Sequence, residues 1–204
     1  MALPRKKLKQ GDRTRTYLWY KPAAPKGLIV ALHGYLGLAS TFADAVSLHQ
    51  QSNFAVAYPD NSFAAWSTEP DSDDEAFIDM VVADMAVSGP VFATGLSAGG
   101  CLAYRLGVDR TSFAAIAPVA GRLYDLTRNP QPQRTKLWHI HGADDDFSPY
   151  EGNWRVPSAA PGFEKFVDAQ DWTELTLVPG GTHEWSMPNF DTSAEILRWF
   201  GSLV

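Results

Sequence analysis

Val91-Phe92-Ala93-Thr94-Gly95-Leu96-Ser97-Ala98-Gly99-Gly100-Cys101-Leu102-Ala103-Tyr104-Arg105-Leu106 opens as a short apolar strand pattern and closes as a helix, with Gly95-Leu96-Ser97-Ala98-Gly99 at the junction. A Gly-x-Ser-x-Gly pentapeptide in that setting turns the chain sharply enough to lift a serine hydroxyl out of the edge of a sheet. Chance alone supplies about 0.07 such matches in a chain of this length, taking Gly and Ser at about 7% each. The pentapeptide is therefore suggestive by itself, and its place between strand and helix gives it weight. The bland alternative is a glycine-rich helix entry with an idle serine, which leaves the features downstream unexplained.

Working outward, Leu28-Ile29-Val30-Ala31-Leu32 and Phe54-Ala55-Val56-Ala57-Tyr58 are continuous apolar runs, the pattern of strands covered on both faces. Thr14 to Tyr20 is β-prone. Ser40 is expected to cap a helix running to about Gln50. After the acids at 69–75, Phe77, Ile78, Val81, Val82 and Met85 recur at helical spacing, and Ser88-Gly89-Pro90 stops that helix. Further strands are expected at Ala114–Val119, Leu137–Ile140 and Leu175–Val178, with helices at Phe163–Ala169 and Ser193–Phe200. Such alternation predicts an α/β fold, a mostly parallel central sheet with helices on both faces. Asp60 to Pro70 and Phe147 to Pro161 lack regular pattern, and loops of this kind line the site in such sheets.

A serine nucleophile needs a base, and the base needs a carboxylate to hold its tautomer, in the chain order Ser, acid, His for a serine on such a turn. His141-Gly142-Ala143-Asp144-Asp145-Asp146 follows one predicted strand, and Gly180-Gly181-Thr182-His183 follows the last. His183 is thus the candidate base, while the order alone leaves three adjacent aspartates open. Upstream, Leu32-His33-Gly34-Tyr35 ends the first buried strand. There the Tyr35 N–H, with that of Ala98, would form an oxyanion hole, and His33 would either order this loop or act more directly. His139 and His141 share a strand face and with nearby aspartates and His183 could make a metal site, a weaker reading than none. Cys101 reads as inert packing.

Composition bounds the possibilities. The chain has 204 residues, 45% of them apolar, enough for one well-buried core, and we read 1–204 as a single domain with residues 1–13 a flexible basic segment. The net charge of −6 argues against nucleic acid as a general partner. The bases Arg5, Lys6, Lys7, Lys9, Arg13 and Arg15 and the acids Glu69, Asp71, Asp73, Asp74 and Glu75 read as solvated surface. No apolar stretch is long enough to span a membrane, and no apolar leader follows the basic start, so a cytoplasmic location is expected, although a secreted protein trimmed of its leader would look the same. The oligomeric state stays open.

These segments together resemble the bacterial esterases grouped with poly(3-hydroxybutyrate) depolymerases, feruloyl esterases and acetyl xylan esterases, from about Leu28 to the C-terminus. The likeness is carried by Leu32-His33-Gly34, Tyr58-Pro59-Asp60 with Trp66 beyond, Asp74–Met85, Thr94–Leu106, Phe113–Gly121, His141–Gly152 and Gly181–Trp185. It implies an α/β-hydrolase fold and an esterase acting through Ser97, His183 and an aspartate without any cofactor. The family pattern His-Gly-x-x-Asp followed by x-x-x-Pro-Tyr falls on His141, Asp145 and Pro149-Tyr150, which implies Asp145 as the acid. Its glycine-rich turn with His and then Trp falls on His183 and Trp185. The connection from Gly121 to Leu137 is short, and no large lid domain is expected. Trp66, Trp154 and Trp185 would border the site and stack on an aromatic acyl group or sugar ring, or would simply pack the loops. The substrate expected is a small-molecule or polysaccharide-linked ester, feruloyl or acetyl. Alternatives are a polyhydroxyalkanoate oligomer hydrolase, a thioesterase or a peptidase with the same three residues, or a non-catalytic carbohydrate-binding protein.

Overall fold

A computed structural model describes residues 2–204. Eight strands form one sheet: β1 (Arg5–Gln10), β2 (Arg13–Tyr20), β3 (Leu28–Leu32), β4 (Ala55–Pro59), β5 (Val91–Leu96), β6 (Phe113–Val119), β7 (Lys136–Gly142) and β8 (Thr173–Val178). Their spatial order is β1-β2-β4-β3-β5-β6-β7-β8. The β1–β2 and β2–β4 pairings are antiparallel and all others parallel. The reversal of direction in the order, from β4 back to β3 and on to β5, makes a switch point beside the C-terminal end of β5, where ligands of open α/β sheets gather.

Among the described residues, five α-helices cover the sheet: α1 (Ala39–Val46), α2 (Asp73–Met85), α3 (Ala98–Asp109), α4 (Ala160–Ala169) and α5 (Thr192–Gly201). The pleat sorts β3 cleanly. Ile29 and Ala31 pack with Phe42 and Val46 of α1 and Ile196 and Phe200 of α5, while Leu28, Val30 and Leu32 pack with Phe77 and Val81 of α2, Leu102 and Leu106 of α3 and Phe166 of α4. Each such fully buried apolar side chain contributes about 1.5–3 kcal/mol. This is why the central runs lack a polar face.

Three expectations are corrected. The segment expected to be flexible at 1–13 is not loose over its described part: Arg5–Gln10 is the edge strand β1, registered on β2 from Arg5 opposite Leu18 to Gln10 opposite Arg13. Its lysines suit an edge that must not recruit further strands. The basic and acidic clusters are also not merely solvated, because they meet. The buried Arg15 pairs with Asp74 at 2.7 Å and Arg13 with Asp73 at 3.5 Å, while Arg5 and Lys6 pair outside the acidic cluster with Asp60 and, at 2.7 Å, Asp84. Finally, Ser40 does not cap α1. The helix begins at Ala39, whose N–H is taken by the Asp60 carboxylate at 3.0 Å, a cap supplied from across the fold, and it ends at Ser47 in the left-handed region. By contrast α2 starts with a capping box, Ser72 Oγ accepting the Glu75 N–H and Glu75 Oε2 accepting the Ser72 N–H.

Among the described residues, no helix is long and apolar enough to cross a membrane, and no inserted helix stands over the C-terminal end of the sheet.

Candidate active site

The β5–α3 turn holds Ser97 at φ 55°, ψ −116°, a strained conformation for a residue with a side chain. Packing enforces it. A Cβ at Gly99 would sit 2.1 Å from the Leu32 carbonyl oxygen, and one at Gly95 would sit 2.6 Å from the Gly99 carbonyl carbon, so only glycine lets α3 start this close to β3 and β5. The strain lifts the Ser97 hydroxyl to the surface of the sheet end, partly exposed, with the N-terminus of α3 behind it.

His183 arrives from the turn after β8 and Asp145 from the turn after β7. The two turns touch at Gly142 and Gly181, where a Cβ on Gly142 would lie 2.4 Å from the Gly181 carbonyl oxygen. His183 Nε2 is 2.8 Å from Ser97 Oγ, and His183 Nδ1 is 2.7 Å from Asp145 Oδ2. Of the three adjacent aspartates only Asp145 is buried; Asp144 and Asp146 face solvent. Asp145 Oδ1 accepts the Ser148 N–H at 2.8 Å, and His141 Nε2 lies 3.3 Å from Oδ2. Burial alone would raise the Asp145 carboxyl, but hydrogen bonds from His141, His183 and the Ser148 amide outweigh it and hold the group well below the usual carboxylate range.

Across the serine, no acceptor among the described residues takes the N–H of Tyr35 or of Ala98. Both belong to residues that border the Ser97 cavity. His33 secures the loop that carries Tyr35. It is buried, its Nδ1 donates to the Gly34 carbonyl at 2.8 Å, its Nε2 accepts the Asn61 N–H at 3.4 Å, and its carbonyl accepts from Trp66 Nε1 at 2.8 Å. Burial lowers its imidazole below the ordinary histidine range, so it is a neutral brace of the loop.

The cavity over Ser97 has a volume of about 290 Å³, and its aromatic lining comes from Tyr35, Trp66, Tyr124 and Phe147. The structure brings one of the three expected tryptophans here. Trp154 is 86% exposed, away from the cavity, with the Arg155 guanidinium over its ring. Trp185 is buried in the core edge-on to Phe42, its indole N–H donating to Ser193 Oγ at 2.8 Å. Both assignments fail because an aromatic residue in an irregular segment reveals its size but not its direction. The residues missed are Tyr35 as a side chain, Tyr124 and Phe147, whose ring lies against His183 at a centroid distance of 4.8 Å. Phe147 stands at the start of the irregular stretch expected to line the site. Tyr124 lies in the short connection after β6 and carried no signal. His139 and His141 do stack on one face of β7, but their ring nitrogens are engaged by Tyr104, by each other and by the Ser148 carbonyl.

No protein-family model matches the chain, and no curated protein sequence does. Solved structures do. Esterase PE8 superposes with a TM-score of 0.68 at 18% identity, over 91% of this chain and 97% of that one. The apo form of Thermogutta terrifontis esterase 2 gives a TM-score of 0.72 at 18% identity, over 99% and 93%. The acylaminoacyl peptidase of Pyrococcus horikoshii gives 0.68 at 11% identity, with 98% of this chain matching 41% of that one. At such identities the likeness establishes the fold, which is the α/β-hydrolase fold.

Proposed function

We propose that the protein is a serine hydrolase that cleaves carboxylic esters through an acyl-enzyme. The observation that carries this reading is the unbroken sequence of contacts from the Ser97 hydroxyl through both nitrogens of His183 to a buried, ionised Asp145. His183 removes the Ser97 proton as the oxygen attacks the ester carbonyl, and the Tyr35 and Ala98 amides receive the oxyanion. The protonated ring then delivers its proton to the departing alcohol. Water repeats the attack with the same groups and releases the acid. Asp145 keeps the Nδ1 hydrogen in place and offsets the charge of the imidazolium.

Two further points support the reading. Ser97 bears backbone strain at the position where such strain presents a nucleophile. Thermogutta terrifontis esterase 2, similar in fold, has been solved phosphorylated by paraoxon, and the same covalent chemistry is expected at Ser97. The small aromatic-lined cavity suits a short or aromatic acyl group, so acetyl and feruloyl esters are the proposed substrates.

Hydrolysis of p-nitrophenyl acetate and methyl ferulate by the wild type and Ser97→Ala, with mass spectrometry after a fluorophosphonate probe, tests this. Activity should fall by at least about three orders of magnitude in Ser97→Ala, with loss of the adduct. Equal rates in both proteins and no adduct on Ser97 would refute it.

A further inference from the structure

Behind Asp145 lies a file of side chains that the acyl transfer does not touch. Tyr104 of α3 and the alternate residues His139 and His141 of β7 are all fully shielded from solvent. The Tyr104 hydroxyl is 2.6 Å from His139 Nδ1, and His139 Nε2 is 2.9 Å from His141 Nδ1. His141 Nε2 is in turn 2.9 Å from the Ser148 carbonyl oxygen and 3.3 Å from Asp145 Oδ2.

The two ends fix where the hydrogens are. A carbonyl oxygen only accepts, so His141 Nε2 carries a hydrogen. Among the described residues the Tyr104 hydroxyl has His139 as its one partner, and burying a hydroxyl hydrogen without an acceptor is unfavourable, so Tyr104 donates. His139 Nδ1 is therefore bare, its hydrogen sits on Nε2, and it donates to the bare Nδ1 of His141. Every donor finds an acceptor with both rings neutral. Burial, which holds His139 far below the ordinary histidine range, agrees with this arrangement.

We propose that Tyr104, His139 and His141 form a positioning relay whose aligned hydrogens end on the Ser148 carbonyl beside Asp145 and hold the Asp145 carboxylate in the geometry that His183 requires. This rests on the reading of Asp145 as the acid of the acyl-transfer site. The His141 Nε2–H, bonded to the Ser148 carbonyl at 2.9 Å, also approaches Oδ2 to 3.3 Å on the side away from His183 and adds its favourable field there. It also pins Ser148, whose N–H holds Oδ1 and whose carbonyl takes both His141 and, at 3.1 Å, Arg122. Neither carboxylate oxygen is then free to turn. The remaining groups around the two rings are Tyr150, edge-on to both, and the apolar Phe163 of α4 beside His139. The Arg122 guanidinium is the cation that acts on His139, and the Asp145 carboxylate is the anion beside His141.

The test uses His141→Leu, His141→Gln and Tyr104→Phe, with active sites counted by fluorophosphonate labelling so that unfolded protein does not enter the rates. In His141→Leu, kcat per labelled site should fall about 10–100-fold with little change in KM, the scale usual for residues that orient a first contact. A carboxylate that has lost the neighbouring His141 N–H is more basic and holds protonated His183 more tightly, so the acid limb of kcat/KM should move up by about half a pH unit. His141→Gln keeps a donor near the Nε2 position and should recover part of both effects. Tyr104→Phe should cost about 2–5-fold, since it leaves the last link intact. In long-range proton–nitrogen spectra of the wild type, both rings should be neutral with the hydrogen on Nε2. A hydrogen on Nδ1 of either ring, or an unchanged kcat per labelled site and acid limb in His141→Leu, would overturn the relay. Should the wild type neither label nor hydrolyse esters, the acyl-transfer reading fails instead, and the spectra still decide the hydrogen-bond order.

Discussion

Tyr104 and Arg105 are consecutive residues of α3, both with no exposed surface, yet they anchor two buried polar groups of opposite design. Tyr104 heads the neutral chain to Asp145, in which every hydrogen has an acceptor. Arg105 enters a cluster of ions. It meets Asp109 at 2.6 Å and Asp125 at 3.3 Å, Arg128 reaches Asp109 at 3.3 Å and Asp71 at 2.8 Å, and Arg110 joins Asp79 at 2.8 Å to Glu75 at 3.5 Å. Here Arg105 Nε, Asp109 Oδ2 and Glu75 Oε1 lack any hydrogen-bond partner among the described residues. The difference teaches where this fold has invested in geometry. A group that must hold one orientation is surrounded by directional, fully matched neighbours, whereas the ions behind α2 and α3 need only rough charge balance, because Coulomb attraction is weakly directional.

The comparison can be broken from either side. Asp145→Asn conserves shape but lets the amide hold the wrong His183 tautomer, so kcat should fall by about 10⁴-fold, while the urea midpoint changes little. A fall of less than tenfold would mean that the matched chain serves packing rather than orientation. On the other side, Arg105→Met removes one partner from a buried ion set and leaves Asp109 under-compensated. Stability should fall by about 3–5 kcal/mol in urea titration, with kcat per fluorophosphonate-labelled site unchanged. A loss below about 1 kcal/mol would show that the cluster is hydrated and that its unmatched atoms carry no penalty.

The sequence made the frame legible for the same reason that its ionic parts were not. Leu28–Leu32 is apolar at every position because helices cover both faces of β3, and that pattern is visible without coordinates. The Gly95 to Gly99 turn is likewise local. Strand β1 is not: Arg-Lys-Lys-Leu-Lys-Gln has no buried face, and it is a strand because β2 offers it a ladder. Local order left Asp144, Asp145 and Asp146 equivalent; the family resemblance singled out Asp145, and the physical reason is that the turn after β7 points this one inward onto His183. Tertiary direction also decides the tryptophans: Trp66 and Trp185 are both buried, but only Trp66 has an edge on the cavity over Ser97. What sequence conveys here is periodicity and motif; what it withholds is which way a side chain in an irregular segment points.

Glu75 offers the smallest effect and the finest test of the contrast. Its side chain has no exposed surface, and burial pushes its carboxyl up to about 7 from an ordinary 4.5, against the pull of Arg110. Between those values the folded protein binds a proton that the unfolded chain has released. Stability contributed by this site is therefore greatest below about pH 4.5 and is lost as pH rises through about 7. Glu75→Gln keeps an oxygen for the Ser72 N–H and so preserves the capping box, while removing the charge. The difference between variant and wild type cancels every other titrating group. It should be near zero or slightly unfavourable to the variant at pH 5, and favour the variant by about 1 kcal/mol at pH 8, measured by urea unfolding at both values. The opposite trend, with the variant losing more at pH 8, would mean that the Arg110 pairing outweighs burial and that the ionic cluster is as well matched as the chain to Asp145.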